Sequence, residues 1–379
     1  MSLASIVTLI LALMLASCSG GGSSSGARRT TTSTAPTTTT TVPVTRPAPP
    51  ADVYAYTRAG MISPVARLAR PLVYVPESGS NAVDVIDPST LRVIAHYMTG
   101  ARPQHVVPSW DLRTLYVANN IGNSLTPIDP NTGRPSGPNI PVEDPYNLYF
   151  EPNGTAAIVV AERRARLDFR DPHTFALQTS LPVQCAGVDH LDFSADGSYL
   201  IASCEFAGRL VKVDLRRRTV VGYLNLPGSS PQDVKVDPGG RLFYVADMNH
   251  GGVYLIDGLT FRQVGFIPTG RDAHGLYPSR DGTRLYVSNR RGGSITVINF
   301  ATRSVIATWP QPGATPDMGG VSADGSVLWL SGRFSNAVYA ISTVDGHRIA
   351  TISVPHSPHG LCVWPQPGRF SIGHTGVMR

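Results

Sequence analysis

The chain has 379 residues, 42% of them hydrophobic and 15% charged, a composition that fits a folded protein with a sizeable core and excludes disorder over its whole length. Its 32 basic and 26 acidic side chains give a net charge of +6, and Lys212 and Lys235 are the only lysines. The arginine bias points to a GC-rich, actinobacterial type of genome, and with no Lys/Arg run, zinc finger or helix-turn-helix pattern the sequence argues against nucleic acid and for attraction to anionic envelope surfaces.

The first eighteen residues, MSLASIVTLILALMLASC, hold an apolar run from Ile6 to Ala16 that is short for a membrane span and ends in small residues before a cysteine. That pattern reads as an export signal. Leu15-Ala16-Ser17-Cys18 resembles the lipobox of bacterial lipoproteins, which implies cleavage before Cys18, a diacylglyceryl thioether on its sulfur and anchoring on the extracytoplasmic face of the cell membrane. No Lys or Arg precedes the run, a departure from the usual signal. The following Gly/Ser and Thr/Pro stretch holds too little apolar surface to offset the entropy of ordering it, so it reads as a tether. Residues 1–17 are thus expected to be a signal peptide, 18–52 a lipidated cysteine with its tether, and 53–379 one folded domain.

Beyond residue 70 the chain repeats itself. The central residues of short apolar strands that follow a turn, Tyr74, Tyr116, Ile158, Ile201, Tyr244, Tyr286 and Trp329, recur every 42 or 43 residues. Each unit holds four short strands with tight turns, as in GLYPS, RLYVSN, SITVIN and SVIATW, which describes one blade of an all-β propeller with four-stranded antiparallel blades. Asp196, Asp281 and Asp324 fall in Asp-Gly turns, and Asp87, Asp129, Asp214 and Asp257 close the third strands, so these carboxylates are expected to form turns.

Seven second strands and a lone inner strand in PHGLCVWP predict seven blades, with the first completed by strands from both chain ends. GRFSIGHTG and VYAYT (53 to 57) leave an eighth open. The phrases RLFYVAD, TLYVANN and RLYVSNRRGGSITVINFATRSVIATW resemble the YVTN family of β-propeller repeats over about residues 71 to 375. The resemblance implies the fold; the family mixes binding proteins with some enzymes.

Residues opening each inner strand should rim one mouth of the central channel. They are Gln104-His105, Tyr146-Asn147, Asp189-His190, Gln232-Asp233, His274-Gly275, Asp317-Met318 and His359-Gly360, joined by strand ends such as Glu162, Glu205, Asp247 and Arg333. A polar, partly acidic funnel is expected. His105 and His190 sit one residue later in register than His274 and His359, and neighbours along a strand face opposite ways, so all four need not converge. These groups either satisfy loop backbone at the crowded axis or bind a ligand, with His274, His359 and Asp317 as metal candidates.

Haem d1 and nitrous oxide reductase propellers are similar at a distance, and lactonase propellers share the architecture. They imply a haem, a metal or a His/Arg pocket, but no paired-histidine signature, CxxCH, GxSxG or phosphate loop accompanies them here. Cys185 and Cys204 lie in one blade and either form a disulfide or serve as thiol ligands beside His190, while Cys362 reads as a buried free thiol. Arg163, Arg164 and Arg166 mark a basic loop on the funnel side, either a solvated charge run or a contact for an anion or polysaccharide. The expectation is a lipid-anchored binding or scaffold module with an envelope protein or cell-wall polysaccharide as partner. The alternative is a metal- or haem-dependent redox protein or a lactonase-like hydrolase.

Overall fold

The computed structural model describes residues 52–379, so the signal segment, Cys18 and nearly all of the tether lie outside the described residues. Seven antiparallel sheets form the blades of a propeller, each running from an inner strand to an exposed outer one. In blade 6, for example, Ala273–Pro278 pairs with Arg284–Asn289, then Ser294–Asn299, then Ser304–Pro310. The seven sequence landmarks from Tyr74 to Trp329 all fall on second strands. Cys362–Trp364 pairs with Leu72–Glu77 as the inner strand of blade 1, so the two chain ends close the ring as expected. Blade 2 has a broken outer edge, with the two-residue strands Arg134–Pro135 and Ile140–Pro141 both pairing with Ser124–Asp129.

Burial follows distance from the axis. The inner strands Val188–Phe193 and Pro231–Val236 are buried throughout, whereas the outer Thr219–Asn225 is mostly in contact with water. Apolar side chains fill the wedges between adjacent blades, as where Tyr149, Phe169 and Leu167 of blade 3 meet Phe193, Leu200 and Val211 of blade 4.

Polar groups stitch the inner strands together. Tyr149 Oη accepts from the Leu191 amide at 3.1 Å, Asp192 Oδ2 from Val236 at 2.8 Å, Asp233 Oδ2 from Leu276 at 2.9 Å and Tyr277 Oη from Gly319 at 2.8 Å. Each acceptor satisfies a backbone donor in the next blade that would otherwise be buried alone. The turn carboxylates behave as expected: Asp281 Oδ1 accepts from Thr283 N at 3.0 Å, and Asp129 Oδ1 from Asn131 N at 2.9 Å.

Among the described residues, neither end contributes an eighth blade. Residues 53 to 56 form turns, with Tyr54 buried and its hydroxyl donating to Val236 O at 2.7 Å. Ser371–Gly373, in the segment that left an eighth second strand open, instead pairs beside Tyr149 on the axial edge of blade 3. The inner edge of a blade facing the channel is an unpaired ladder, and the tail satisfies part of it. Gly373 permits this approach: its φ is +99°, and a Cβ there would lie 2.4 Å from both Leu148 O and Tyr149 Cα.

Candidate ligand funnel and axial histidine cluster

The inner strands reach the axis through a repeated irregularity. Register shifts fall between Pro103 and His105, Val188 and Leu191, Pro231 and Val234, Ala273 and Leu276, and Pro316 and Gly319. Such bulges re-aim side chains, here the pair that opens each inner strand. The two members of the pair go to different levels. First members, among them Gln104, Tyr146, Gln232, His274 and His359, line an open cavity of about 550 Å³. Second members His105, Asn147, His190 and Asp233 surround His374, which the tail brings to the axis. The one-residue offset in register thus separates the histidines into two layers.

In the funnel layer, His274, Asp317 and His359 each offer a ligand atom within 4.8 Å of the others. The imidazoles are 2% exposed and the carboxylate fully buried. Asp317 is ringed by cationic or polar groups: Arg290 Nε at 2.9 Å, His274 Nδ1 at 3.2 Å and His359 Nε2 at 3.6 Å. Neither Asp317 oxygen is in hydrogen-bond alignment with any of them, and His274 Nδ1 and His359 Nδ1 likewise lack a hydrogen-bond partner. Burial, reinforced by Arg290 for His274 and by Arg333 for His359, holds both imidazoles well below their usual pKa, so both are neutral near pH 7. Burial raises Asp317, a shift that Arg290 and Arg333 oppose.

The funnel wall carries Arg102, Arg163, Arg290 and Arg333 against Glu162 and Glu205. Burial, then the neighbouring Asp189 carboxylate, pushes Glu162 up to about 8 and Glu205 up to about 7. Near neutral pH the two acids are therefore partly protonated, and the wall carries net positive charge. Arg163 is engaged by Asp144 at 2.7 Å, and Arg166 by Glu143 at 2.7 Å and Asp168 at 2.9 Å. Much of the basic loop is therefore neutralised by local ion pairs.

A disulfide joins Cys185 to Cys204, and Cys362 is a buried free thiol, which rules out the thiol-ligand alternative for the pair. The bridge sits behind Ala186, Gly187, Glu205 and Phe206, all of which line the funnel.

Several expected funnel residues lie elsewhere. His105 and His190 are fully buried in the lower layer, beneath the funnel. Asp233 serves the ring, accepting from Leu276 N and pairing with Lys235 Nζ at 2.5 Å. Burial opposes ionisation there, but Lys235 and then His374 hold Asp233 below the usual carboxylate range. Asp247 accepts from His250 N at 2.8 Å in its own hairpin loop and from Ser230 N at 2.5 Å in the loop that leads into the inner strand. Glu162, Glu205 and Arg333 do line the funnel. Sequence reasoning missed Arg290, whose position directly after a second-strand end was the available signal, and His374, which lies past the residue that completes the ring.

The chain matches the family model described as YncE-like β-propeller over residues 49–367. It is 24% identical to "Uncharacterized protein YncE" of Salmonella typhi over 271 residues, covering 65% of this chain and 73% of that protein. Among solved structures, it superposes on dihydro-heme d1 dehydrogenase NirN with a TM-score of 0.60 at 17% identity, covering 83% of this chain and 79% of that one. A putative 6-phosphogluconolactonase from Bacteroides uniformis gives 0.62 at 20% identity, covering 77% of this chain and 99% of that one. At such identities the two structures share the fold alone. The repeat, the seven closed blades and the family match agree: the chain belongs to the YncE-like β-propeller family.

Proposed function

We propose that this protein is a lipid-anchored propeller of the cell envelope that binds a small anionic ligand in its funnel, around a divalent metal ion held by His274, Asp317 and His359. The observation that carries the reading is this triad at the base of an open, arginine-lined cavity. Two neutral imidazoles and one carboxylate form a donor set suited to a first-row transition metal such as zinc or iron, with coordination positions left over. Arg290 and Arg333 beside the triad supply the positive charge that would orient a carboxylate or phosphate group toward it. The LASC sequence and the tether support the anchor.

Protein stripped with chelator and reloaded with zinc should retain metal, and loading should strengthen binding of inorganic phosphate or citrate measured by calorimetry. His274→Gln and His359→Gln should each weaken metal retention while leaving melting of the metal-free protein nearly unchanged. Equal zinc affinity in wild type and both variants would remove the metal from the proposal. Phosphate and citrate binding that ignores both zinc and Arg333→Gln would remove the funnel as their site. Incubating the loaded protein with lactones or redox dyes separates binding from the hydrolytic and redox alternatives.

A further inference from the structure

Below the funnel layer, His105, His190 and His374 each present one ring nitrogen within 4.8 Å of the other two, and all three residues are fully buried. Their ring centroids are 5.4, 5.4 and 4.8 Å apart. They come from blade 2, blade 4 and the tail, so the group exists only once the ring has closed and the tail has entered the channel. We infer that these three histidines form a second metal site, specific for an imidazole-preferring late first-row ion such as copper or zinc, and that the C-terminal tail completes it.

Three observations support the assignment. First, His105 Nε2 is buried without a hydrogen-bond or ion-pair partner, while the Nε2 atoms of His190 and His374 lie beside the Asp189 and Asp233 carboxylates. An orphaned buried polar atom is costly. Second, each ring has an oxygen acceptor placed to fix its orientation. His105 Nδ1 donates to Tyr146 O at 2.9 Å, which leaves the lone pair on Nε2. His190 Nε2 lies 2.9 Å from Asp189 Oδ1, and His374 Nε2 lies 3.7 Å from Asp233 Oδ1, both within ion-pair range. An acceptor on the nitrogen that does not ligate is the usual support of a histidine ligand, so the ligating atoms are Nε2 of His105 and Nδ1 of His190 and His374. Asn147 Nδ2 donates to His190 Nδ1 at 3.1 Å and His374 Nδ1 at 3.0 Å, the two lone pairs that the ion would take in its place.

Third, the backbone makes room for the cluster. A Cβ on residue 360 would lie 2.1 Å from His105 Cδ2, so the glycine there admits the His105 ring. Three imidazoles with no carboxylate among the donors select copper, zinc or nickel over magnesium or calcium.

The test is metal stoichiometry on the intact chain, titrated separately with Zn2+ and Cu2+ after chelator treatment, alongside melting without metal. Wild type should take up two ions per chain, His359→Gln one and His374→Gln one. His105→Gln should match His374→Gln, which guards against a variant that merely loosens the tail. One ion in wild type, lost in His359→Gln and kept in His374→Gln, would overturn the second site and leave the funnel reading standing. One ion lost in His374→Gln and His105→Gln alone would support the second site and overturn the funnel metal. One ion lost in all three variants would mean a single shared site and would overturn this inference, as would no uptake of either metal.

Discussion

A buried ion pair helps to hold the tail in the channel, and that pair is open to a quantitative test. Arg379 Nη2 lies 2.8 Å from Asp192 Oδ1, with the two side chains 10% and 1% exposed. Arg379→Met removes the cation and strands a buried carboxylate, a change that typically costs about 3–5 kcal/mol. Asp192 keeps two backbone donors, Phe193 N at 2.7 Å and Val236 N at 2.8 Å, which places the expected loss at the lower end, about 3 kcal/mol. For a domain of this size each kcal/mol shifts melting by about 2 °C, so a drop of roughly 6 °C is expected.

Asp192→Asn in the Arg379→Met background should recover part of the loss, because a neutral amide no longer carries an unpaired charge into the interior. Thermal melts of wild type, both single variants and the double variant form the cycle, with a coupling above about 1 kcal/mol expected. A drop below about 1 °C in Arg379→Met, or losses that add within about 0.5 kcal/mol, would refute the claim that this pair fastens the tail.

Replacing Cys185 and Cys204 with alanine opens a link between residues 19 apart, which the chain-entropy account values at about 3 kcal/mol. Melting should fall by several degrees and phosphate binding in the funnel should weaken, both read against reduced and oxidised wild type. Glu162 and Glu205 set a pH dependence of defined sign. Folding raises their pKa from 4.5 to about 8 and about 7, so the folded chain holds protons that the unfolded chain releases. Stability should therefore be fully present below about pH 4.5, decline as pH rises, and level off above about 8; Glu162→Gln should flatten the decline, measured by denaturant melts at pH 5.5, 7 and 8.5. Cys18→Ala should leave an unprocessed precursor or release protein from the membrane fraction, and unchanged processing and partitioning would remove the lipid anchor from the proposal.

The fold was legible because its code is local and repeated. A period of 42 or 43 residues, Asp-Gly turns and alternating apolar strands specify a blade within one stretch of chain, and seven copies leave ring closure as the remaining solution. The offset that places His105 and His190 one residue after the positions of His274 and His359 showed in sequence that the four need not converge, and the structure resolved it into two layers. The pairing of Cys185 with Cys204 followed from their places in a single blade.

The content of the channel was decided by tertiary structure. Asp233 looked like a funnel carboxylate until the next blade supplied Leu276 N and its own strand supplied Lys235. Asp247 turned inward to its own loop. His374 lies outside every repeat, in a tail whose strand resembles the start of another blade. Its destination depends on an unpaired inner edge of blade 3 that exists only after distant parts of the chain have met, with Gly373 permitting the approach and Asp192 receiving Arg379. Periodicity records which residues face the axis, but the groups that meet there are separated by whole blades, and only the closed ring brings them together.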